Sequence, residues 1–151
     1  KKVSRWYYFD GRSTMATGWV YDSKNGNWYY MNTTPGPELG QMVLGWVKDE
    51  KTNKWYYMND NTGILKTGWH KDPQDGRWYY LNSNGEMLVG WQKIDGKWYY
   101  FNTNTPQNTY TWDANAFKWN YLSNSGRPFG SMYAGEKTPD GYNVDANGAW
   151  Y

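Results

Sequence analysis

Apolar and polar residues along this chain alternate in short bursts of four or five positions. Each burst is closed by Gly, Asn, Asp or Pro, and no stretch of helical length and period stands out. The bursts are of two kinds. Trp-Tyr-Tyr-apolar occupies residues 6–9, 28–31, 55–58, 78–81 and 98–101, with a degenerate copy at Trp119-Asn120-Tyr121-Leu122. Gly-Trp stands at Gly18-Trp19, Gly45-Trp46, Gly68-Trp69 and Gly90-Trp91, with a worn copy at Thr111-Trp112. The two kinds interleave, separated by the turn-rich links 22–27, 49–54 and 72–77 and by the tight Asp95-Gly96. Two short aromatic strands around an Asn-Gly or Asp-Gly link read as a β-hairpin, because those dipeptides supply the positive φ that tight turns need. A lone hairpin is marginal in water, so the units must stack to bury their rings. The expected fold is all-β, a β-solenoid of stacked hairpins. Residues 1–126 read as tandem repeats, about six hairpin units with the first truncated, and residues 127–151 as a degenerate last repeat or cap.

Spacing refines the picture. Trp19 to Trp28, Trp46 to Trp55 and Trp69 to Trp78 are nine residues apart, whereas Trp91 to Trp98 and Trp112 to Trp119 are seven apart. A change of two residues in a hairpin loop keeps both Trp on one face, since strand side chains repeat with period two. Within each Trp-Tyr-Tyr-apolar burst the Trp and the second Tyr share one face, and the first Tyr and the apolar residue share the other. The first Tyr and the residue after the second Tyr are expected in the core. The segments leading to the next unit end on Gly40-Gln41-Met42, Gly63-Ile64-Leu65 and Gly85-Glu86-Met87.

Composition changes what the core can be made of. Six Val, six Leu, two Ile and four Phe are too few to hold 151 residues together by the usual means. Twelve Trp and sixteen Tyr replace them as the source of buried area. This excludes an ordinary aliphatic-core α/β enzyme and a disordered tail alike. Sixteen Lys and Arg stand against fourteen Asp and Glu with no block of one sign, which argues against a nucleic-acid or membrane tail. No Cys is present, and no apolar run reaches the length of a membrane span. The chain begins on Lys1 and runs straight into its first repeat, as expected of a piece of a longer, processed protein. The lone His70 is expected as an exposed strand residue. Acidic residues such as Asp72 and Asp75 cluster in turns, and no Ser-His-Asp set, phosphate-cradling loop or metal spacing appears. No enzyme activity and no cofactor are expected.

Aromatic walls at the seam between two hairpins attract a cation through the ring quadrupole, and they suit a quaternary ammonium because it has no hydrogen bonds to satisfy. Gly-Trp-x-x…Trp-Tyr-Tyr-apolar-Asn…Gly-x-Met resembles the choline-binding repeats of pneumococcal-type surface proteins and phage lysins, over residues 6–126. The resemblance implies that two Trp of one repeat and a Tyr of the next form each choline site, often with a Met or Leu. The implied sites are Trp19 and Trp28 with Tyr57, Trp46 and Trp55 with Tyr80, Trp69 and Trp78 with Tyr100, and Trp91 and Trp98 with Tyr121. The second Tyr is taken from strand alternation, and the first Tyr of each pair is the alternative. Met42, Leu65 and Met87 are candidates for a soft fourth wall. Trp112 and Trp119 keep the Trp pair but lack a clear partner Tyr. The implied ligand is choline or phosphocholine on teichoic and lipoteichoic acids. The implied location is the bacterial cell wall outside the cell, with no nucleic acid and no membrane insertion. Self-association through the terminal repeats is a further implication. A glucan-binding repeat module, and the targeting end of a wall hydrolase whose catalytic domain lies elsewhere, are the alternatives.

Overall fold

A computed structural model describes residues 7–9, 14–103, 108–113, 118–123 and 127–151, with the strands at 108–113 and 118–123 described by backbone alone. Its strands are β1 (Gly18–Asp22), β2 (Asn27–Met31), β3 (Gly45–Asp49), β4 (Lys54–Met58), β5 (Gly68–Lys71), β6 (Trp78–Leu81), β7 (Gly90–Ile94), β8 (Lys97–Phe101), β9 (Asn108–Asp113) and β10 (Lys118–Ser123). Among the described residues each strand pairs with its sequence neighbour to give five two-stranded sheets, so the architecture is all-β. The chain divides into two compact units. One comprises Lys1–Lys66 with Tyr110–Tyr121, the other Thr67–Thr109 with Leu122–Tyr151.

Every hairpin repeats one register. Trp19 faces Tyr30 and Tyr21 faces Trp28, as Trp69 faces Tyr80 and Lys71 faces Trp78. The shorter β7–β8 hairpin keeps the pattern, with Trp91 opposite Tyr100 and Lys93 opposite Trp98. Its two-residue turn holds Asp95 at φ 51° and Gly96 at φ 82°, the left-handed pair that matches the twist of the strands. Both Trp and the second Tyr thus lie on one face of each hairpin. The residue after the second Tyr points the other way and is buried throughout: Met31, Met58, Leu81 and Phe101.

Within each unit the Trp face of one hairpin packs on the opposite face of the next. In the first unit Tyr30 and Trp19 meet Val47 and Met58. In the second, Trp69 and Tyr80 meet Ile94, Tyr99 and Phe101. His70 corrects the expectation of exposure. It stands where Val20 and Val47 stand in their strands, opposite Tyr79, and is only 2% exposed. The residue after Gly-Trp faces away from the Trp side, so it is buried whether it is Val or His.

The Gly-x-Met segments return the chain to its own hairpin through Met31–Met42, Met58–Leu65 and Leu81–Met87 bridges. Their glycines form a ladder with the methionines of preceding repeats. A Cβ on Gly63 would lie 2.6 Å from Met42 Sδ, and one on Gly130 would lie 2.4 Å from Met87 Sδ. The same contacts recur within residues 127–151. Gly130-Ser131-Met132 closes on Phe101 as Gly85-Glu86-Met87 closes on Leu81. The Gly130 N–H donates to Asn102 O just as Gly85 N–H donates to Asn82 O. Residues 104–126 thus stand in the sequence between the β7–β8 hairpin and the Gly130-Ser131-Met132 that closes on it. A last hairpin follows, with Thr138 N–H donating to Tyr142 O and Val144 N–H to Glu136 O, and ends on Gly148-Ala149-Trp150, bridged to Val144. Arg127 lies 3.7 Å over the Tyr133 ring and pairs with Glu136, tying the start of the segment to its hairpin.

Candidate functional site

The regular register places the two Trp of a hairpin at right angles near its open edge. Trp19 and Trp28 have ring centroids 6.4 Å apart at 84°, and Trp69 and Trp78 lie 6.2 Å apart at 86°. The first Trp of each pair is half-buried and the second is exposed. Two perpendicular indole faces therefore open to solvent.

The third ring comes from the next hairpin. In the first unit it is Tyr56, 4.8 Å from Trp19, and in the second it is Tyr99, 4.9 Å from Trp69. Each is the first Tyr of its pair. Tyr57 instead packs on Trp46 of its own hairpin at 5.0 Å, and Tyr100 packs on Trp91 of its own hairpin at 5.2 Å. The cause is the direction of stacking. If every hairpin turns its Trp face the same way, its neighbour must present the opposite face, and that face carries the first Tyr. The hydroxyl of Tyr56 shares a hydrogen bond of 3.4 Å with Thr52 in its own loop, which steadies the ring.

A fourth wall arrives by a backbone rung. Leu65 N–H donates to Trp28 O at 2.9 Å, and Met132 N–H donates to Trp78 O at 2.8 Å. Trp69, Trp78, Tyr99 and Met132 then line an open cleft of about 360 Å³, with Ala134, Ala146 and Asn147 at its margin. Leu65 stands at this rung in the first unit, and Met42, Met87 and Met132 each pack on a glycine of a following segment, Gly63, Gly130 and Gly148.

Trp91 and Trp98 acquire their walls from the C-terminal segment. Tyr142 lies 5.8 Å from Trp91 at 87°, and Trp150 N–H donates to Trp98 O at 2.9 Å, the rung that Met132 makes to Trp78. Trp91, Trp98, Tyr142, Trp150 and Asp140 line an open cleft of about 440 Å³. Matching Val144-Asp145 to Phe101-Asn102 puts Tyr142 where Tyr99 stands in its repeat, so Tyr142 is a first Tyr as well. Gly130-Ser131-Met132 and its counterpart Gly148-Ala149-Trp150, with Trp in place of Met, are the signal in the sequence that points to it. Asp140 accepts from the Trp91 indole Nε1 at 2.9 Å. The Thr138 hydroxyl and that indole hold its carboxyl below the usual carboxylate range. In the first unit the Trp19 indole donates likewise to Asp49 at 3.0 Å.

The remaining predicted positions are placed as follows. Trp46 is buried and Trp55 half-buried in the β3–β4 hairpin of the first unit, and Tyr80 lies in the second unit opposite Trp69. Tyr121, Trp112 and Trp119 lie in strands whose side chains are outside the described residues. No group of three or more His, Cys, Asp or Glu side chains able to hold a metal occurs among the described residues, and no described helix is long and apolar enough to cross a membrane.

A family model of choline-binding repeats matches residues 3–36 and 66–108, just over half of the chain, and a model of cell wall binding repeats matches residues 45–65. No curated protein matches. Among solved structures, choline binding protein F (CbpF), crystallised in complex with ipratropium, is 34% identical over 99% of this chain, with a TM-score of 0.57. The same protein, from Streptococcus pneumoniae, was also crystallised in the presence of a peptidoglycan analogue and matches with a TM-score of 0.56. The choline binding domain of Spr1274 in Streptococcus pneumoniae is 32% identical over 72% of this chain and 95% of its own, with a TM-score of 0.46. The chain spans less than half the length of the CbpF chain, 43% of it. With its hairpin register, its paired Trp and these matches, the chain belongs to the choline-binding repeat family.

Proposed function

We propose that this chain is a non-catalytic module that attaches a surface protein to the bacterial wall by holding the choline of teichoic and lipoteichoic acids in aromatic cages. The observation that carries the reading is the recurrence of one cage: two perpendicular indoles, a first Tyr from the next repeat and a fourth wall on a backbone rung. It occurs in full at Trp19–Trp28–Tyr56–Leu65 and Trp69–Trp78–Tyr99–Met132, and Trp91–Trp98–Tyr142–Trp150 share the Trp pair, the first Tyr and the rung. Ring faces meeting at right angles offer their negative quadrupoles to a methylated ammonium, which needs no hydrogen-bond partner. Three rings supply roughly 1–2 kcal/mol each, and immobilising a small ligand costs several kcal/mol. Even a net of about 4 kcal/mol, more than these terms leave, corresponds only to a dissociation constant on the order of 1 mM. Such a site is weak alone, and repetition on a polymer bearing many cholines raises the effective concentration without any new contact. That CbpF was crystallised with a peptidoglycan analogue supports placing the module at the wall.

The test is direct. Millimolar choline should shift or quench the Trp fluorescence of the chain and elute it from a tertiary-amine resin. A chain that does not bind the resin overturns the reading, and dextran affinity indifferent to choline establishes a glucan-binding module instead.

A further inference from the structure

The cages differ in what stands beside their first indole. The cleft of Trp69, Trp78, Tyr99 and Met132 has no charged side chain in its lining. At Trp19 the partner carboxylate of Asp49 is buried and its other oxygen accepts from Lys51 N–H. Asp140 is different: it is exposed and lines the cleft itself, alongside Trp91, Trp98, Tyr142 and Trp150. Its Oδ2 accepts from Trp91 Nε1 at 2.9 Å, its Oδ1 accepts from the Thr138 hydroxyl at 2.5 Å, and its own backbone N–H adds a contact. A carboxylate offers about four acceptor positions, so these bonds fix its orientation and leave capacity toward the cleft.

The consequence concerns the substituents on nitrogen. A trimethylammonium group carries no donor and is at home among rings alone. A dimethylammonium group carries one N–H, and a cage without a carboxylate offers that donor at best a neutral acceptor at its margin, as Asn147 is beside Trp69 and Trp78. A carboxylate at the rim receives it as a charge-assisted hydrogen bond.

We propose that Asp140 makes the Trp91–Trp98–Tyr142–Trp150 cage a receptor for alkylammonium groups that keep an N–H, as well as for the fully methylated group, whereas the Trp69–Trp78–Tyr99–Met132 cage selects the fully methylated one. The inference rests on the reading of these clefts as cation cages.

The experiment titrates the intact chain at pH 7 with choline and, separately, with N,N-dimethylethanolamine, following the indole N–H signals of Trp69 and Trp91 by NMR. Trp69→Phe and Trp91→Phe variants assign the two signals. The ratio of dimethylethanolamine to choline affinity should be near one at Trp91 and about tenfold lower at Trp69. Asp140→Asn keeps an oxygen for the Trp91 indole but removes the charge, and should lower the ratio at Trp91 about tenfold while leaving Trp69 unchanged. Equal ratios at the two cages in the unmodified chain overturn the proposal, and that comparison needs no variant. An Asp140→Asn chain in which both ligands weaken by one common factor overturns it too, for the carboxylate then only positions the indole. If neither amine moves either indole, the cation-cage reading itself fails and this inference with it.

Discussion

Tyr99 and Tyr100 are chain neighbours with identical side chains, yet period-two alternation sends them to opposite faces of β8 and so to different tasks. Tyr99 stands over Trp69 at the seam, half-buried, with its ring against the cleft. Tyr100 is 8% exposed and packs with Trp91, Tyr133 and Val144. Replacing Tyr99 with Ala should weaken choline at the Trp69 cage by about tenfold, the loss of one cation–π wall, with a small change in thermal stability. Replacing Tyr100 with Ala should instead cost about 3 kcal/mol of stability, the usual penalty of emptying a large aromatic from a core, while the Trp69 cage keeps its affinity. Calorimetric melting of both variants beside choline titration separates the two roles, and a Tyr99→Ala chain of unaltered affinity removes Tyr99 from the cage. Strand alternation read from sequence assigns both Tyr to their faces correctly. It does not say which face the neighbouring hairpin meets, because that depends on the direction of stacking and no residue type encodes it locally.

At the level of elements, the hairpins were legible and the ladder that joins them only in part. Trp-Tyr-Tyr, Gly-Trp and the turn dipeptides each carry their own local physics, and the structure forms hairpins at the copies from Gly18 to Phe101, while described residues 7–9 carry only the Phe9–Met15 bridge. The Gly-x-Met rungs at Gly130 and Gly148 escaped because residues 104–126 separate Phe101 from the glycine that closes its repeat, and the regular spacing is lost there. Gly130 also shows why the rung is Gly. Its φ is +84°, and a Cβ would sit 2.4 Å from Met87 Sδ and 2.5 Å from Met87 Cε. Both strain and overlap act against Ala there. Gly130→Ala should lower stability by roughly 1–3 kcal/mol in denaturant melts. An unchanged midpoint would show that Met87 swings aside and that the ladder bears little of the packing.

On the scale of the molecule, the hairpin around residues 138–144 differs from those before it. It keeps the first Tyr, as Tyr142, and the rung residue, as Trp150, but Lys137, which pairs with Asn143 as Trp91 pairs with Tyr100, and Gly141 stand where a further Trp pair would be. Its Tyr142 and Trp150 line one cleft with Trp91 and Trp98 of the hairpin before it. His70 and Asp140 were not legible as functional or buried positions. Burial of His70 follows from its face, and the reach of Asp140 toward Trp91 spans 49 residues.

The backbone rungs from Leu65 to Trp28, from Met132 to Trp78 and from Trp150 to Trp98 have a mechanical meaning. Each proposed ligand site requires the seam that carries its rung to be closed, so an occupied cage would act as a rivet across that seam. Peeling one repeat from the next must eject the ligand first. By mass action, choline at a hundred times its dissociation constant should add about 2.7 kcal/mol per cage against opening. Melting temperature should therefore climb with choline, and the force needed to unravel a single tethered molecule should climb with it. A chain that binds choline yet unravels at the same load with and without it would show that the rivets lie off the line of force. Tension on a wall-anchored protein would otherwise be borne by the same atoms that hold it to the wall.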